Sequence, residues 1–278
     1  MLIADNLSKA YQIIALLGLD DHTYTHLSAR VNGGFLINDF GYLFSEMSPD
    51  KLLKVDYDGL VKNWQNANEN DKIGNNTNYP ETGIERRDCS NEGDPKFNDA
   101  LDLNPHVMDK PKAKSKAYNH TGYIIHSSIY KARPEINYIF HIHVPEIVAT
   151  SIYGLLPISQ WSLHLYDKVS YADYNSLALM ESEHGSTIAS DLGSNDVMLL
   201  KHHGAIICGT KVHSTLFFTY HLYMACKTQC LAGHRSDATI SHLIAEKARN
   251  DLLSFEHDIG QRDWLAWLRL LDRKGEMV

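Results

Sequence analysis

A surplus of basic side chains is the first thing this sequence lacks. Its 26 Lys and Arg are outnumbered by 34 Asp and Glu, leaving a formal charge of −8. Without spare cations to neutralise phosphates, the balance argues against nucleic acid as the main partner. Long apolar runs are missing as well. None approaches the roughly 18–20 residues that a bilayer-spanning helix needs, so no membrane span is expected. The opening Met1-Leu-Ile-Ala-Asp-Asn lacks the basic region and apolar core of a secretory leader. Cysteine is scarce, and Cys89, Cys208, Cys226 and Cys230 show no disulfide-framework spacing. A cytoplasmic location is the simplest expectation. There is no Gly-rich phosphate loop and no internal repeat.

What is present is a mixture of helix and strand signals. Leu7, Tyr11, Ile14 and Leu17 recur at helical spacing and stop at Gly18. His26–Val31 and Gly34–Asn38 read as strands joined by Asn32-Gly33, a dipeptide suited to a two-residue hairpin turn. Leu52–Asp56 reads as a further strand. Between about 63 and 116 the chain turns rich in Asn, Asp, Glu, Lys and Pro and poor in branched apolar residues. Such a stretch cannot bury enough surface to offset its ordering entropy, so we read it as a polar insertion in a single domain spanning 1–278. A lid over a site is the competing reading.

Order resumes with a helix over Gly122–Ala132, a buried strand over Asn137–His143, and a helix opened by Pro145. The middle of the chain reads as irregular. Apolar strands Val197–Leu200 and Ala205–Cys208 then flank His202-His203-Gly204. A long helix over Val212–Leu231 and two more, near 240–254 and 262–272, close the sequence. This mixture favours a layered α/β domain over a doubly wound parallel sheet.

Three histidines carry the chemistry. His141 and His143 alternate with Ile142, so strand geometry points both imidazoles to one face. A third donor would complete a chelating site for a first-row metal. One of His202 and His203, at a strand end, could supply it, and spacing alone does not say which.

The stretch His126-Ser-Ser-Ile-Tyr-Lys-Ala-Arg-Pro-Glu-Ile-Asn-Tyr-Ile-Phe-His-Ile-His143 resembles the class II aldolase/adducin family. So do Thr25-His-Leu-Ser-Ala-Arg30, Phe44-Ser-Glu-Met-Ser48, Gly154-Leu-Leu-Pro-Ile-Ser-Gln160 and Leu199-Leu-Lys-His-His-Gly-Ala-Ile-Ile-Cys-Gly209. The similarity is closest to the adducin-like branch. It implies a three-layer α/β/α domain around a largely antiparallel sheet, commonly a homo-oligomer and often a tetramer. It also implies a divalent metal, zinc in the aldolases, held by His141, His143 and His203. Iron is an alternative, because three neutral ligands do not choose the metal.

The chain departs from the aldolase pattern where those enzymes carry an acid/base Glu, four residues before His126. Gly122 stands there and can neither ligate nor move a proton. The phosphate-binding Gly-Asn pair is replaced by Thr25-His26. Glu46 is then a candidate catalytic carboxylate, its competing role being to cap a helix start. His126, Arg30 and Trp161 are candidates for supporting the metal ligands or meeting substrate. Two functions are expected. One is a zinc-dependent aldolase-type lyase that acts on a small hydroxy- or oxo-carbonyl compound through an enediolate. The other is a non-catalytic, adducin-like oligomerising domain that binds proteins.

Overall fold

A computed structural model describes residues 3–62, 118–173, 182–233 and 235–275; the side chains of 62, 182–186, 236 and 274–275 are not described. The polar insertion and Cys89 therefore lie outside the described residues. Helix α1 (Ile3–Leu16) ends before Gly18, which takes the left-handed φ of +67° expected of a helix stop. Strands β1 (His26–Val31) and β2 (Gly34–Asn38) form the predicted hairpin, with Gly33 at φ +72°. β3 (Leu52–Asp56) and the short β4 (Val61–Lys62) follow. Beyond the insertion come α2 (His120–Ala132), β5 (Tyr138–Ile142), α3 (Pro145–Tyr153) and the single turn α4 (Gln160–Leu163).

The stretch expected to be irregular is not. It contains β6 (Val169–Asp173) and α5 (Ser182–Leu192). β6 escaped the sequence reading because it is an edge strand with only Ala172 fully buried, so it lacks an apolar alternation. β7 (Val197–Lys201), β8 (Gly204–Gly209), α6 (Val212–Leu231), α7 (His242–Ser254) and α8 (Gln261–Gly275) complete the chain.

The strands form one sheet in the order β4-β3-β2-β1-β5-β8-β7-β6. Every neighbouring pair is antiparallel except β6 and β7, whose parallel pairing α5 permits by crossing between them. Two apolar cores lie on opposite faces. Leu27, Phe140, Ile142 and Ile207 pack with residues of α1, α3, α6 and α8. Ile139, Ile206 and Cys208 pack with residues of α2 and α5. The result is the three-layer α/β/α arrangement. Tyr11 ties α1 to the first hairpin, its buried hydroxyl accepting from Leu27 N at 2.9 Å and donating to Asn38 Oδ1 at 2.9 Å. Among the described residues, no helix is long and apolar enough to cross a membrane.

Candidate metal centre

The site grows from the pairing of β1, β5 and β8 at the centre of the sheet. β5 alternates, so Ile139, His141 and His143 lie on the α2 face while Phe140 and Ile142 fill the other core. Register sets His26 of β1 directly across from His141. On the other side, β7 and β8 are joined by the two-residue turn His202-His203. His202 takes the left-handed conformation, φ +64°, and its side chain is exposed. That leaves His203, half-buried, to face β5. The choice between the two histidines is thus made by turn geometry.

The three imidazoles converge through their Nε2 atoms. His141 and His143 are 2.8 Å apart there, and each is 3.1 Å from His203. Two of the rings are oriented through their Nδ1 atoms. His141 Nδ1 donates to the Ala205 carbonyl at 3.0 Å, and His143 Nδ1 faces Asp21 Oδ2 at 3.3 Å. Gly204 makes the close approach possible. A Cβ there would lie 2.3 Å from the Ile142 carbonyl oxygen and 2.9 Å from His143 Cδ2.

Burial keeps these rings neutral. It holds His141 well below the usual imidazole range, pulls His203 down to about 4, and lowers His143 against the opposing pull of Asp21. With both Nδ1 atoms turned to acceptors, His141 and His143 each present an Nε2 lone pair. Two lone pairs 2.8 Å apart repel unless a positive charge lies between them, and burial disfavours a proton in that role. The separations suit three donors to one ion whose bonds are about 2.0–2.1 Å long. The donor set therefore fits a divalent metal.

The other expected residues are distributed unevenly. His126 is fully buried on α2, and its Nε2 shares a 2.8 Å hydrogen bond with His26 Nδ1. It connects to the trio through His26, whose ring stacks on His141 at a centroid distance of 4.8 Å. In the sequence His26 is one residue of the Thr25–Arg30 stretch and no site candidate, because nothing local reveals its partner across the sheet. Arg30 is buried beneath Tyr130. Its guanidinium donates to the carbonyls of Ile136 at 2.7 Å, Tyr130 at 2.8 Å and Arg133 at 2.9 Å, and to the Tyr57 hydroxyl at 2.8 Å. That placement makes Arg30 a clamp on the turn between α2 and β5, rather than a contact for an anionic substrate or a strand-edge ion pair. Glu46 is exposed and accepts from Leu43 N at 2.7 Å, capping its own helical turn. Trp161 opens toward solvent on α4.

Comparison with known proteins gives this geometry a family. Residues 5–230 match the model of the class II aldolase and adducin N-terminal domain. The chain belongs to that family. A protein of Pseudomonas aeruginosa whose name places it with the class 2 aldolases is 29% identical over 97% of this chain and 88% of its own length. Mouse alpha-adducin is 30% identical over 82% of this chain, which spans 25% of that longer protein. Among solved structures, an aldolase II superfamily protein from Pseudomonas syringae superposes with a TM-score of 0.73 at 28% identity. It covers 98% of this chain and 92% of its own. L-fuculose 1-phosphate aldolase of Glaciozyma antarctica, at 22% identity, shares the fold with a TM-score of 0.69, covering 99% of this chain and 90% of its own. The class II aldolase domain thus has relatives named for aldolases and for adducins.

Proposed function

We propose that this protein is a metal-dependent aldolase-type lyase whose ion is held by His141, His143 and His203. The convergence of three neutral Nε2 atoms within 3.1 Å of one another carries the reading. Zinc is the metal we favour, as three imidazoles in a shell open to further ligands suit it, with iron the alternative. When bound, a divalent ion supplies the positive charge that an enediolate needs as a carbon–carbon bond breaks. The chain's own residues fix that charge. Ala205 and Asp21 orient His141 and His143, and the β7–β8 turn sets His203. The substrate class that fits is a small hydroxy- or oxo-carbonyl compound. Gly122 offers no carboxylate at the family's acid/base position, so the proton must be handled by another group or by the substrate itself.

The test is metal content by mass spectrometry on purified protein, parent beside a His141→Ala/His143→Ala double variant. One ion per chain in the parent, lost in the variant, is the expected result. Metal-dependent carbon–carbon cleavage or enolisation that survives His141→Ala would overturn the lyase reading.

A second reading, an adducin-like oligomerising domain without catalysis, is favoured by apolar side chains left open on the C-terminal helices. Leu243, Ile244, Phe255 and Leu265 are all exposed there. Buried in a homo-oligomer, they would be removed from water, and light scattering of the purified protein decides whether one forms. A stable oligomer that takes up no metal and binds a specific protein would favour this reading over the first. Under either, we read the chain as one domain with a polar insertion at about 63–116, working in the cytoplasm.

A further inference from the structure

We propose that Gly122 is a socket for the His26 ring, and that His26 is the positioning residue that fixes His141 in the histidine trio. Gly122 is the third residue of α2, in a helix where glycine costs about 1 kcal/mol relative to alanine. It is absent from the glycines with positive φ, so backbone conformation does not demand it. Space does. A Cβ at 122 would lie 2.8 Å from His26 Cδ2, 2.9 Å from its Nε2 and 3.0 Å from its Cγ. Three atoms of one ring sit where a side chain would begin.

The same ring also meets His141. The two residues are register partners on β1 and β5, and their rings stack with only 28° between planes. His26 is therefore in close contact both with a bare stretch of helix backbone and with a member of the trio. Its remaining freedom is taken by a buried polar chain. His26 Nδ1 shares a hydrogen bond with His126 Nε2 at 2.8 Å. His126 Nδ1 is bonded to Ser28 Oγ, and Ser28 Oγ to the Tyr130 hydroxyl at 2.8 Å. All four members are buried, so water does not compete for these bonds. Protons can run along the chain in either order, and both orders fix the same ring plane. The Ala205 carbonyl then fixes one edge of His141, and His26 fixes its face.

This inference rests on the metal reading for one of its measurements and stands apart from it for the other. The first is zinc affinity, by competition with a chromogenic chelator, in the parent, His26→Ala, Gly122→Ala and the double variant. His26→Ala should weaken binding about 10–100-fold, the range found when groups supporting metal ligands are removed. Gly122→Ala should also weaken it at least several-fold, because the methyl must displace the ring. The double variant should be no worse than His26→Ala, since the ring that the methyl would strike is gone. Parent-like affinity in both single variants, or losses that simply add, would overturn the proposal. The second measurement uses metal-free protein with nitrogen-15-labelled histidine. The parent should show His141 as a single tautomer protonated at Nδ1, and His26→Ala a mixture. A parent that binds no zinc but shows this spectral change sinks the metal reading and keeps the inference. An unchanged His141 signal sinks the inference whatever the metal does. Gly122→Ala carries both measurements if His26→Ala fails to fold.

Discussion

Burying several imidazoles away from water should make the metal-free protein strongly acid-labile. His26, His126 and His141 are all within a few per cent of complete burial. Burial is the leading cause in each. It holds His26 and His141 well below 6.5 and His126 down at about 3. In the unfolded chain the same rings return to a pKa near 6.5. As pH falls below that value the unfolded state takes up protons that the folded state refuses, so stability is greatest above pH 6.5. It falls progressively until the folded pKa values are reached, near 3 for His126. At pH 5 each such histidine favours unfolding by about 2 kcal/mol, so the three together cost about 6 kcal/mol. That is a large share of the roughly 5–15 kcal/mol by which domains are usually stable. The assay is urea unfolding of chelator-treated protein at a series of pH values, followed by circular dichroism. Between pH 7 and 5 the unfolding free energy should drop by several kcal/mol, and His126→Gln should remove about 2 kcal/mol of that drop, with His203 and His221, both pulled down to about 4, adding to the remainder. A midpoint that hardly moves over this range would refute the reasoning, because it would mean that the rings accept protons in place.

Gly204→Ala places a methyl 2.3 Å from the Ile142 carbonyl oxygen and should cost about 1–3 kcal/mol in a thermal or urea melt. It should weaken metal binding as well, because His143 must shift; parent-like values for both would contradict the packing argument. Arg30→Met removes the donor shared by three carbonyls in a buried setting and should cost about 3 kcal/mol or more by urea unfolding. A loss under about 1 kcal/mol would show that water replaces the guanidinium. His203→Ala should abolish metal uptake while exposed His202→Ala preserves it, measured side by side by mass spectrometry; the reverse pattern would reassign the third ligand.

The parts of this fold that were legible in the sequence are those set by local chemistry. Asn32-Gly33 declares a hairpin, Gly18 a helix end and Pro145 a helix start, because each acts through the backbone within a few residues. His141 and His143 were visible for the same reason, since alternation along one strand fixes their common face. β6 was not legible because its position at the sheet edge removes the need for an apolar face. Nor was His26, whose meaning depends on a register partner 115 positions away that only the assembled sheet supplies. In the sequence Arg30 suits an anionic substrate and a strand-edge ion pair equally well. What it meets is a set of backbone carbonyls at the end of α2 and the turn after it, 100 or more residues downstream, which no spacing rule anticipates.

Side-chain absence shapes the site as much as side-chain identity. Five imidazoles, from β1, α2, the end of β5 and the β7–β8 turn, occupy one region of the sheet face. Such crowding is possible because Gly122 yields its volume to His26 and Gly204 yields its own to Ile142 and His143. Neither glycine touches the point where the trio converges, and neither would be chosen by a search for ligands. Yet alanine at 204 would press on the backbone of β5 itself, at Ile142 between His141 and His143, where no side chain can rotate away. Alanine at 122 would press on a ring that is already bonded on one edge and stacked on one face. A transplanted His-x-His strand with a third histidine opposite would therefore reproduce the donors without their alignment. Metal sites tolerate ligand displacements of only about 0.2 Å. By that measure the two glycines are as much a part of the centre as the histidines they admit.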